Sequence, residues 1–251
     1  VEATGNWRSA TGKPANYCMA VFGARGEKCG IPHEFGSTGF GVAEATRVAA
    51  EILGIDVQGA RVAIHGFGNV GTFAYQYLIA MGAKVVLLAD ASSAVLAEDG
   101  FDRKALEATI RDRKPLSAYR GGKQLSAHDF WRTPVDILIP ASVTDVINAS
   151  NKDHIKAKII VEAGNIPMRE PIEEEFHKRN VLVVPDFVAN AGGVISSYAE
   201  YRGYNPKRMF ELVGRKVVAS TKRVLKESFR SGKAPRAVAL EIARERVREA
   251  M

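Results

Sequence analysis

Residues 61–90 read RVAIHGFGNVGTFAYQYLIAMGAKVVLLAD, and they carry the clearest indication of the fold. The apolar run at residues 61–65 predicts a short buried strand that leads into a glycine-rich turn. Apolar side chains then recur at helical spacing as far as Met81, and Gly82 ends the helix. Residues 84–90 are again apolar and predict a second buried strand. Strand, helix and strand in this order are typical of an α/β fold.

The turn after the first strand has the G-x-G-x-x-G spacing of dinucleotide-binding loops, formed by Gly66, Phe67, Gly68, Asn69, Val70 and Gly71. Gly66 permits the tight turn, Gly68 lets a pyrophosphate approach the backbone, and Gly71 lets the helix pack closely on the strand. The N-terminus of the helix offers free N–H groups to that anion. The alternative is a glycine turn in a protein that binds no nucleotide, and the flanking strands disfavour it. We therefore predict that residues 66–71 bind a dinucleotide.

Asp90 ends the second strand, 19 residues after Gly71. A carboxylate at this place accepts a hydrogen bond from the 2′-hydroxyl of the adenosine ribose and repels a 2′-phosphate. Residues 91–94 (ASSA) offer no Lys or Arg that could bind such a phosphate. Asp90 therefore favours NAD as the cofactor, and a basic residue from elsewhere in the fold would make NADP possible.

Three further apolar runs, at residues 135–140, 158–163 and 181–185, predict three more strands. A helical pattern at residues 42–53 precedes the first strand, and residues 171–178 form an amphipathic stretch between the last two strands. Strongly apolar strands with intervening helices imply a parallel sheet that is covered on both faces. The predicted fold class is therefore α/β, a Rossmann-type doubly wound parallel sheet.

The strand pattern stops after residue 185, and helical patterns follow. Asn205 before Pro206 predicts the start of a long helix, and Pro235 opens a last one. We therefore predict a C-terminal helical extension, residues 202–251.

Three local patterns give further predictions. Asp102 has the character of a helix N-cap. Residues 114–132 show no clear period, and we expect them to be irregular. Ser142, three residues before Asp145, resembles a capping box and predicts a helix start.

The composition places the chain among ordinary folded proteins, with 251 residues, 46% hydrophobic and 25% charged. This apolar content excludes intrinsic disorder, and no apolar run approaches the ~20 residues needed to span a bilayer. We therefore expect a soluble, cytoplasmic protein without a membrane partner. Cys18 and Cys29 are the only cysteines, and we expect them to be reduced thiols. The five histidines lack metal-ligand spacing, so no metal site is predicted.

The formal net charge of +7 is concentrated at the C-terminal end. Residues 202–251 carry 14 basic and 5 acidic side chains, a net +9, whereas the other 201 residues sum to −2. This segment lacks a nucleic-acid motif and has few aromatic side chains for base stacking. We expect a solvated helix face or a docking surface there and no nucleic-acid partner, with a nucleic-acid surface as the weaker alternative.

Several blocks of the chain, in order, resemble the coenzyme-binding domain of the glutamate dehydrogenase family, which includes leucine, phenylalanine and valine dehydrogenases. The matching blocks are residues 11–14 (TGKP), 38–42 (TGFGV), 66–71 (GFGNVG), 140–142 (PAS), 165–167 (NIP), 190–194 (NAGGV) and 197–198 (SY). Two segments depart from the family pattern. Residues 162–166 read EAGNI where the family has Glu-Gly-Ala-Asn-Gly, and residues 17–32 do not follow its glycine-serine pattern.

The resemblance implies roles for individual residues. Thr38 and Asn190 would bind the nicotinamide carboxamide, and the nicotinamide ribose would contact Asn165, Ala141 and Ser142. Ser197 stands where the glutamate enzymes place a hydroxyl on the side-chain carboxylate of the substrate. Relatives that act on branched-chain or aromatic amino acids have an apolar residue there.

The resemblance also implies an activity: NAD(P)-dependent oxidation of L-glutamate by water to 2-oxoglutarate and ammonia, in a homo-oligomer that is commonly a hexamer. A dehydrogenase for branched-chain or aromatic amino acids and a non-catalytic nucleotide-binding or regulatory subunit are the alternatives. We expect an entry segment at residues 1–35, an NAD-binding domain at residues 36–201 and the helical extension. The family's N-terminal substrate domain, with its catalytic lysine, has no counterpart in the sequence. No catalytic residue is therefore assigned, and we expect the chain alone to be inactive.

Overall fold

The computed structural model describes residues 1–112 and 114–251. The strands are β1 (Cys18–Ala20), β2 (Glu27–Cys29), β3 (Arg61–His65), β4 (Lys84–Ala89), β5 (Ala94–Leu96), β6 (Lys123–Leu125), β7 (Ile137–Pro140), β8 (Ile159–Val161) and β9 (Leu182–Val184). The helices are α1 (Ser37–Leu53), α2 (Asn69–Ala80), α3 (Arg103–Arg111), α4 (Ala127–Arg132), α5 (Glu170–Lys178), α6 (Asp186–Ala189), α7 (Gly192–Tyr201), α8 (Pro206–Ser231) and α9 (Pro235–Ala250). All five strands predicted from the apolar runs are present. The helices predicted at residues 42–53, after the glycine-rich turn and at residues 171–178 are present as α1, α2 and α5.

The main sheet has seven strands in the order β6-β5-β4-β3-β7-β8-β9. The five predicted strands are parallel, and β5 and β6 add an antiparallel edge beside β4. The chain leaves β3 to one side for β4 and returns on the other side for β7, which makes the carboxyl end of β3 the topological switch point. Ligands of open α/β sheets bind in the crevice at such a point.

The strands alternate between two apolar layers, as a sheet covered on both faces requires. On one face, Val62 and Ile64 pack with α1, α2 and α8. On the other face, Ala63 packs with aromatic side chains of α4 and α5, among them Phe130 and Phe176. The predicted doubly wound α/β fold is confirmed.

The C-terminal helices share the core of the sheet domain. Val213 and Val217 of α8 are buried in the same apolar cluster as Val42 of α1. Basic side chains remain on the outer face of α8, where Lys222 forms an ion pair with Glu51 at 3.0 Å. The extension therefore packs back on the sheet domain. The division into residues 1–35, 36–201 and 202–251 stays a prediction.

The N-terminal segment is held on the end of α7 by a buried ion pair. Lys13 Nζ lies 2.6 Å from Glu200 Oε1, and the two side chains are 6% and 0% exposed. The indole nitrogen of Trp7 also donates to the backbone carbonyl of Glu200. This segment therefore stabilises the helix that carries Ser197.

Among the local predictions, the N-cap at Asp102 is confirmed, because its carboxylate accepts from Ala105 N at 2.7 Å. The prediction that residues 114–132 are irregular is wrong. The segment contains β6 and α4, which are so short that they show no period, and tertiary pairing on the edge of the sheet stabilises them.

The prediction of two reduced thiols is also wrong. Cys18 and Cys29 lie opposite each other in the antiparallel pair β1–β2, their Cα atoms are 4.0 Å apart, and they form a disulfide. Pairing of the two strands brings the cysteines together, and their spacing alone gave no sign of it. Among the described residues, no helix combines the length and apolar content needed to cross a membrane.

Candidate dinucleotide-binding site

The glycine-rich loop lies at the switch point of the sheet. Gly66 has a φ of +103°, which favours glycine, and its N–H donates to the carbonyl of Ala89 at 2.8 Å. A Cβ at Gly66 would lie 2.7 Å from backbone atoms of Ala141 and Ser142. The loop therefore needs a glycine here both for the turn and for its contact with the chain that leaves β7.

The other two glycines of the loop differ in what surrounds them. A Cβ at Gly71 would overlap the carbonyl oxygen of Gly66, so the close packing of α2 on β3 requires glycine. A Cβ at Gly68 would meet nothing within 4 Å. The space above Gly68 is therefore open beside the first turn of α2, where backbone N–H groups have no acceptor within the helix.

The remaining loop residues support the loop from its edges. Phe67 packs edge-on against Tyr75, with ring centroids 5.8 Å apart. The Asn69 side chain is exposed and donates to the carbonyl of His33 at 3.3 Å. Val70 is half-buried against the core. Of these side chains, Asn69 lies nearest to solvent.

Asp90 lies at the carboxyl end of β4 as predicted, and both its oxygens already accept hydrogen bonds. Oδ1 accepts from the N–H and hydroxyl groups of Ser92 and Ser93 at 2.8–3.1 Å, and Oδ2 accepts from Leu116 N at 2.6 Å. Partial burial acts to raise the pKa of the Asp90 carboxyl, but these donors outweigh burial and hold that pKa below its ordinary value. Asp90 is therefore ionised at neutral pH and also shapes the turn that follows β4.

The turn after β7 is joined to the glycine-rich loop by main-chain and side-chain contacts. Ala141 N donates to the carbonyl of His65 at 2.7 Å, and Ser142 Oγ lies 2.8 Å from Nδ1 of His65. The predicted helix start at Ser142 and Asp145 is wrong, since no helix begins there in the described chain. The two side chains have other partners, and Arg169 binds the Asp145 carboxylate.

His65 is a site residue that the sequence analysis missed. Its ring stacks on Trp131 at a centroid distance of 4.6 Å and meets Phe130 edge-on at 4.9 Å. Burial lowers the pKa of His65 to about 4, so the imidazole is neutral at pH 7. The signal in the sequence was its position, the last strand residue before Gly66, because a side chain there lies next to the loop.

Thr38, Asn165 and Asn190 come from three distant parts of the sequence, and the two asparagines contact each other directly. Asn190 Nδ2 donates to Asn165 Oδ1 at 3.0 Å. Thr38 lies in the first turn of α1 against Gly193, where a Cβ would lie 2.9 Å from Thr38 Oγ1. The glycine pair that opens α7 therefore lets this helix approach α1 closely.

A buried cluster of charged side chains lies behind this group and was also missed. Arg236 of α9 donates to Glu162 at 2.8 Å, to Glu173 at 2.6 Å and to Asp186 at 2.9 Å. Burial, together with the neighbouring carboxylates, raises the pKa of Glu162 and Glu173. Oε1 of Glu162 is buried without a hydrogen-bond partner. We infer that the cluster retains at least one proton.

The cluster reaches the site through Asp186. Oδ2 of Asp186 accepts from Ile166 N at 2.9 Å, and Ile166 has a φ of +49°, which a β-branched residue rarely adopts. The same interaction therefore stabilises the loop that carries Asn165. Carboxylates at the ends of consecutive strands gave a signal for this cluster, but its arginine is 74 residues from Glu162.

Ser197 lies on α7, whose outer face carries exposed Val194 and Tyr198. The helix begins at Gly192, two residues after Asn190, and Ser197 is half-buried. The serine therefore shares a helix with the glycine pair that touches Thr38.

Comparison with known proteins identifies relatives of this chain. A family model described as Glutamate/Leucine/Phenylalanine/Valine dehydrogenase matches residues 29–251. The chain is 42% identical over 185 residues to the NADP-specific glutamate dehydrogenase of Saccharolobus shibatae, covering 73% of this chain and 44% of that protein. It is 38% identical over 184 residues to the NAD-specific glutamate dehydrogenase of Clostridioides difficile, covering 68% of this chain and 44% of that protein.

The fold has the same relatives. A crystal structure of the hetero-hexameric glutamate dehydrogenase of Thermus thermophilus superposes with a TM-score of 0.77 at 24% identity, covering 86% of this chain and 53% of that one. The chain spans less than half the length of the curated relatives it matches. Sequence and fold agree, and the chain belongs to the Glutamate/Leucine/Phenylalanine/Valine dehydrogenase family.

Proposed function

We propose that this chain forms the NAD(P)-binding part of a glutamate dehydrogenase, with the pyrophosphate over residues 66–71. The observation that carries the proposal is the loop itself: Gly66 and Gly71 leave no room for a Cβ, whereas the space above Gly68 is open. The loop stands at the switch point of the sheet, beside the N-terminus of α2. This arrangement fits the pyrophosphate of a dinucleotide, which has a ribose on each side.

The other residues divide between the two halves of the cofactor. Asp90 would accept from the adenosine ribose, and its charge favours NAD over NADP. On the other half, Thr38 and Asn190 would hold the nicotinamide carboxamide, and the nicotinamide ribose would contact Asn165, Ala141 and Ser142. The pair of amides 3.0 Å apart supports this assignment, because it places two polar groups beside the open crevice.

The reaction we propose for the whole protein is L-glutamate + H2O + NAD(P)+ → 2-oxoglutarate + NH4+ + NAD(P)H + H+, in which the cofactor accepts a hydride. In this reaction, the chain binds the cofactor and orients it. Ser197 would hydrogen-bond the side-chain carboxylate of glutamate, which the apolar residue of branched-chain or aromatic enzymes does not do. Relatives named NAD-specific and NADP-specific glutamate dehydrogenases favour this reaction over a non-catalytic subunit.

Two further properties belong to the proposal. We propose a cytoplasmic homo-oligomer, a hexamer by family resemblance, and the Thermus thermophilus enzyme is described as a hetero-hexamer. Sedimentation velocity of the purified protein tests the assembly.

Calorimetric titration of the chain with NAD+ and with NADP+ tests the cofactor assignment. We expect saturable binding of NAD+ with one site per chain and weaker binding of NADP+. Binding of neither dinucleotide would overturn the proposed function. Tighter binding of NADP+ would overturn only the preference assigned to Asp90.

Asp90→Ala is expected to narrow the preference for NAD+ over NADP+ by about tenfold, because a carboxylate near a 2′-phosphate is removed. The ratio of the two dissociation constants measures this effect. Ser92→Ala is the matched control, since it removes one donor to Asp90 and leaves the charge. An unchanged ratio in Asp90→Ala would show that the charge does not discriminate.

Ser197→Val is expected to raise the KM for glutamate by about tenfold or more, because an apolar side chain leaves the substrate carboxylate without its hydrogen bond. The effect is measured by steady-state kinetics of the whole protein, for which the oxidation of glutamate is proposed. Ser197→Thr keeps the hydroxyl and should stay near the wild type, and the KM for the cofactor should hardly change. Unaltered glutamate kinetics in Ser197→Val would contradict the assignment.

A further inference from the structure

The His65 side chain lies between two segments that the proposed function assigns to the cofactor. The residue ends β3, directly before Gly66, and its Nδ1 lies 2.8 Å from the hydroxyl oxygen of Ser142 after β7. The hydrogen bond joins side chains 77 residues apart. The ring of His65 therefore fixes the position of a hydroxyl on the neighbouring strand end.

The orientation of the imidazole is set by the aromatic side chains of α4. Trp131 stacks on the ring at an interplanar angle of 25°, and Phe130 meets it edge-on at 78°. Rotation of the imidazole out of its present plane would break these contacts. Because the ring is held this way, Nδ1 remains directed at the Ser142 hydroxyl.

The main chain of Ser142 is confined as well. A Cβ at Gly66 would lie 2.7 Å from Ser142 N, and a Cβ at Gly164 would lie 2.9 Å from Ser142 O. The backbone of Ser142 is thus packed between the glycine-rich loop and the loop that carries Asn165. Its hydroxyl retains one free torsion, and His65 selects the rotamer.

We propose that His65 is a positioning residue for the nicotinamide half of the cofactor, acting through the Ser142 hydroxyl, an inference that rests on the proposed function. A neutral imidazole suits this role, because it bonds the hydroxyl without placing a charge beside the nicotinamide. The adenosine half, assigned to Asp90, should not sense His65. The two halves can therefore be separated by measurement.

Two variants separate the hydrogen bond from the ring. His65→Phe keeps an aromatic ring against Trp131 and removes the bond to Ser142. His65→Asn places an amide atom where Nδ1 lies and removes the ring. We expect His65→Phe to weaken NAD+ binding about fivefold, as loss of one hydrogen bond predicts, and to leave AMP binding unchanged. We expect His65→Asn to lower the melting temperature and to keep the ratio of the two dissociation constants near the wild type.

Calorimetric titration with NAD+ and AMP, with melting curves of each variant, provides the test. Ser142→Ala should weaken NAD+ binding as much as His65→Phe, and the double variant should show no further loss. His128→Phe, an exposed histidine on α4, is the matched control. The inference is overturned if His65→Phe leaves the NAD+ to AMP ratio unchanged, or if the two losses add in the double variant.

A second readout does not need the cofactor. Nitrogen-15 NMR of the free chain should show Nδ1 of His65 hydrogen-bonded, and Ser142→Ala should shift that resonance; no shift would overturn the inference. Failure of the wild type to bind NAD+ at all overturns the proposed function itself. Normal binding by the wild type with an unchanged ratio in His65→Phe overturns the role of His65 alone.

Discussion

Gly68→Val is expected to abolish dinucleotide binding while leaving the chain folded. A Cβ at Gly68 meets nothing within 4 Å, and its φ of −86° is open to any L-residue. The valine would fill the space through which the pyrophosphate approaches the first turn of α2. We expect the Kd for NAD+ to rise at least about 100-fold, since the anion loses its contact with the backbone N–H groups.

The measurement is calorimetric titration with NAD+, with a thermal melt of the same sample. Gly214→Ala on α8 is the matched control, because its Cβ would meet only the Phe40 side chain, at an ordinary 3.5 Å. Gly71→Ala gives the contrasting result: overlap with the Gly66 carbonyl should lower the melting temperature as well as binding. Unchanged NAD+ affinity in a folded Gly68→Val protein would contradict the assignment of the loop.

Arg236→Met is expected to produce the largest loss of stability of any single change considered. The arginine side chain is 14% exposed and donates to three carboxylates, of which Glu162 is completely buried. Removing it leaves buried carboxyl groups without their cation, which costs about 3–5 kcal/mol. The loop that carries Asn165 should also lose stability, because the Asp186 carboxylate accepts a hydrogen bond from Ile166 N in that loop.

The loss should depend on pH with a definite sign. Glu162 and Glu173 already have raised pKa values, and loss of the guanidinium raises them further. A group whose folded pKa lies above its unfolded pKa stabilises the fold at low pH and loses that contribution as the pH rises through the folded value. Arg236→Met should therefore be closer to the wild type at about pH 5 than at about pH 8.

Urea unfolding at both pH values measures this difference. Arg230→Met, which removes an exposed arginine paired with Glu227 on α8, is the matched control and should change stability little. Arg236→Lys keeps a charge but not the forked geometry, so it should lie between the wild type and Arg236→Met. A loss that is equal at the two pH values would contradict the protonation that we infer for the cluster.

Local patterns in the sequence accounted for the sheet and the loop. The apolar runs located all five parallel strands, because a strand buried on both faces must be apolar along its length. The three glycines of the loop have the packing that their spacing predicted, since the turn and the approach of helix to strand depend on the backbone alone. The blocks shared with the family added Thr38, Asn165 and Asn190, which no periodicity could have indicated.

Short elements and paired side chains lay outside the reach of these patterns. β5 and β6 are three-residue strands that exist because they pair with the edge of the sheet. The disulfide likewise follows from the register of β1 on β2.

Residues that are neighbours in the chain are sufficient to predict the α/β class, the order of the parallel strands along the chain and the glycine-rich loop. The surroundings of that loop, in contrast, depend on contacts between distant parts of the chain. His65 finds its partner 77 residues away, and Arg236 reaches Glu162 across 74 residues. Hydrogen bonds and buried ion pairs depend on distances in space. Those distances are set by the packing of β3 beside β7 and of α9 against the ends of β8 and β9.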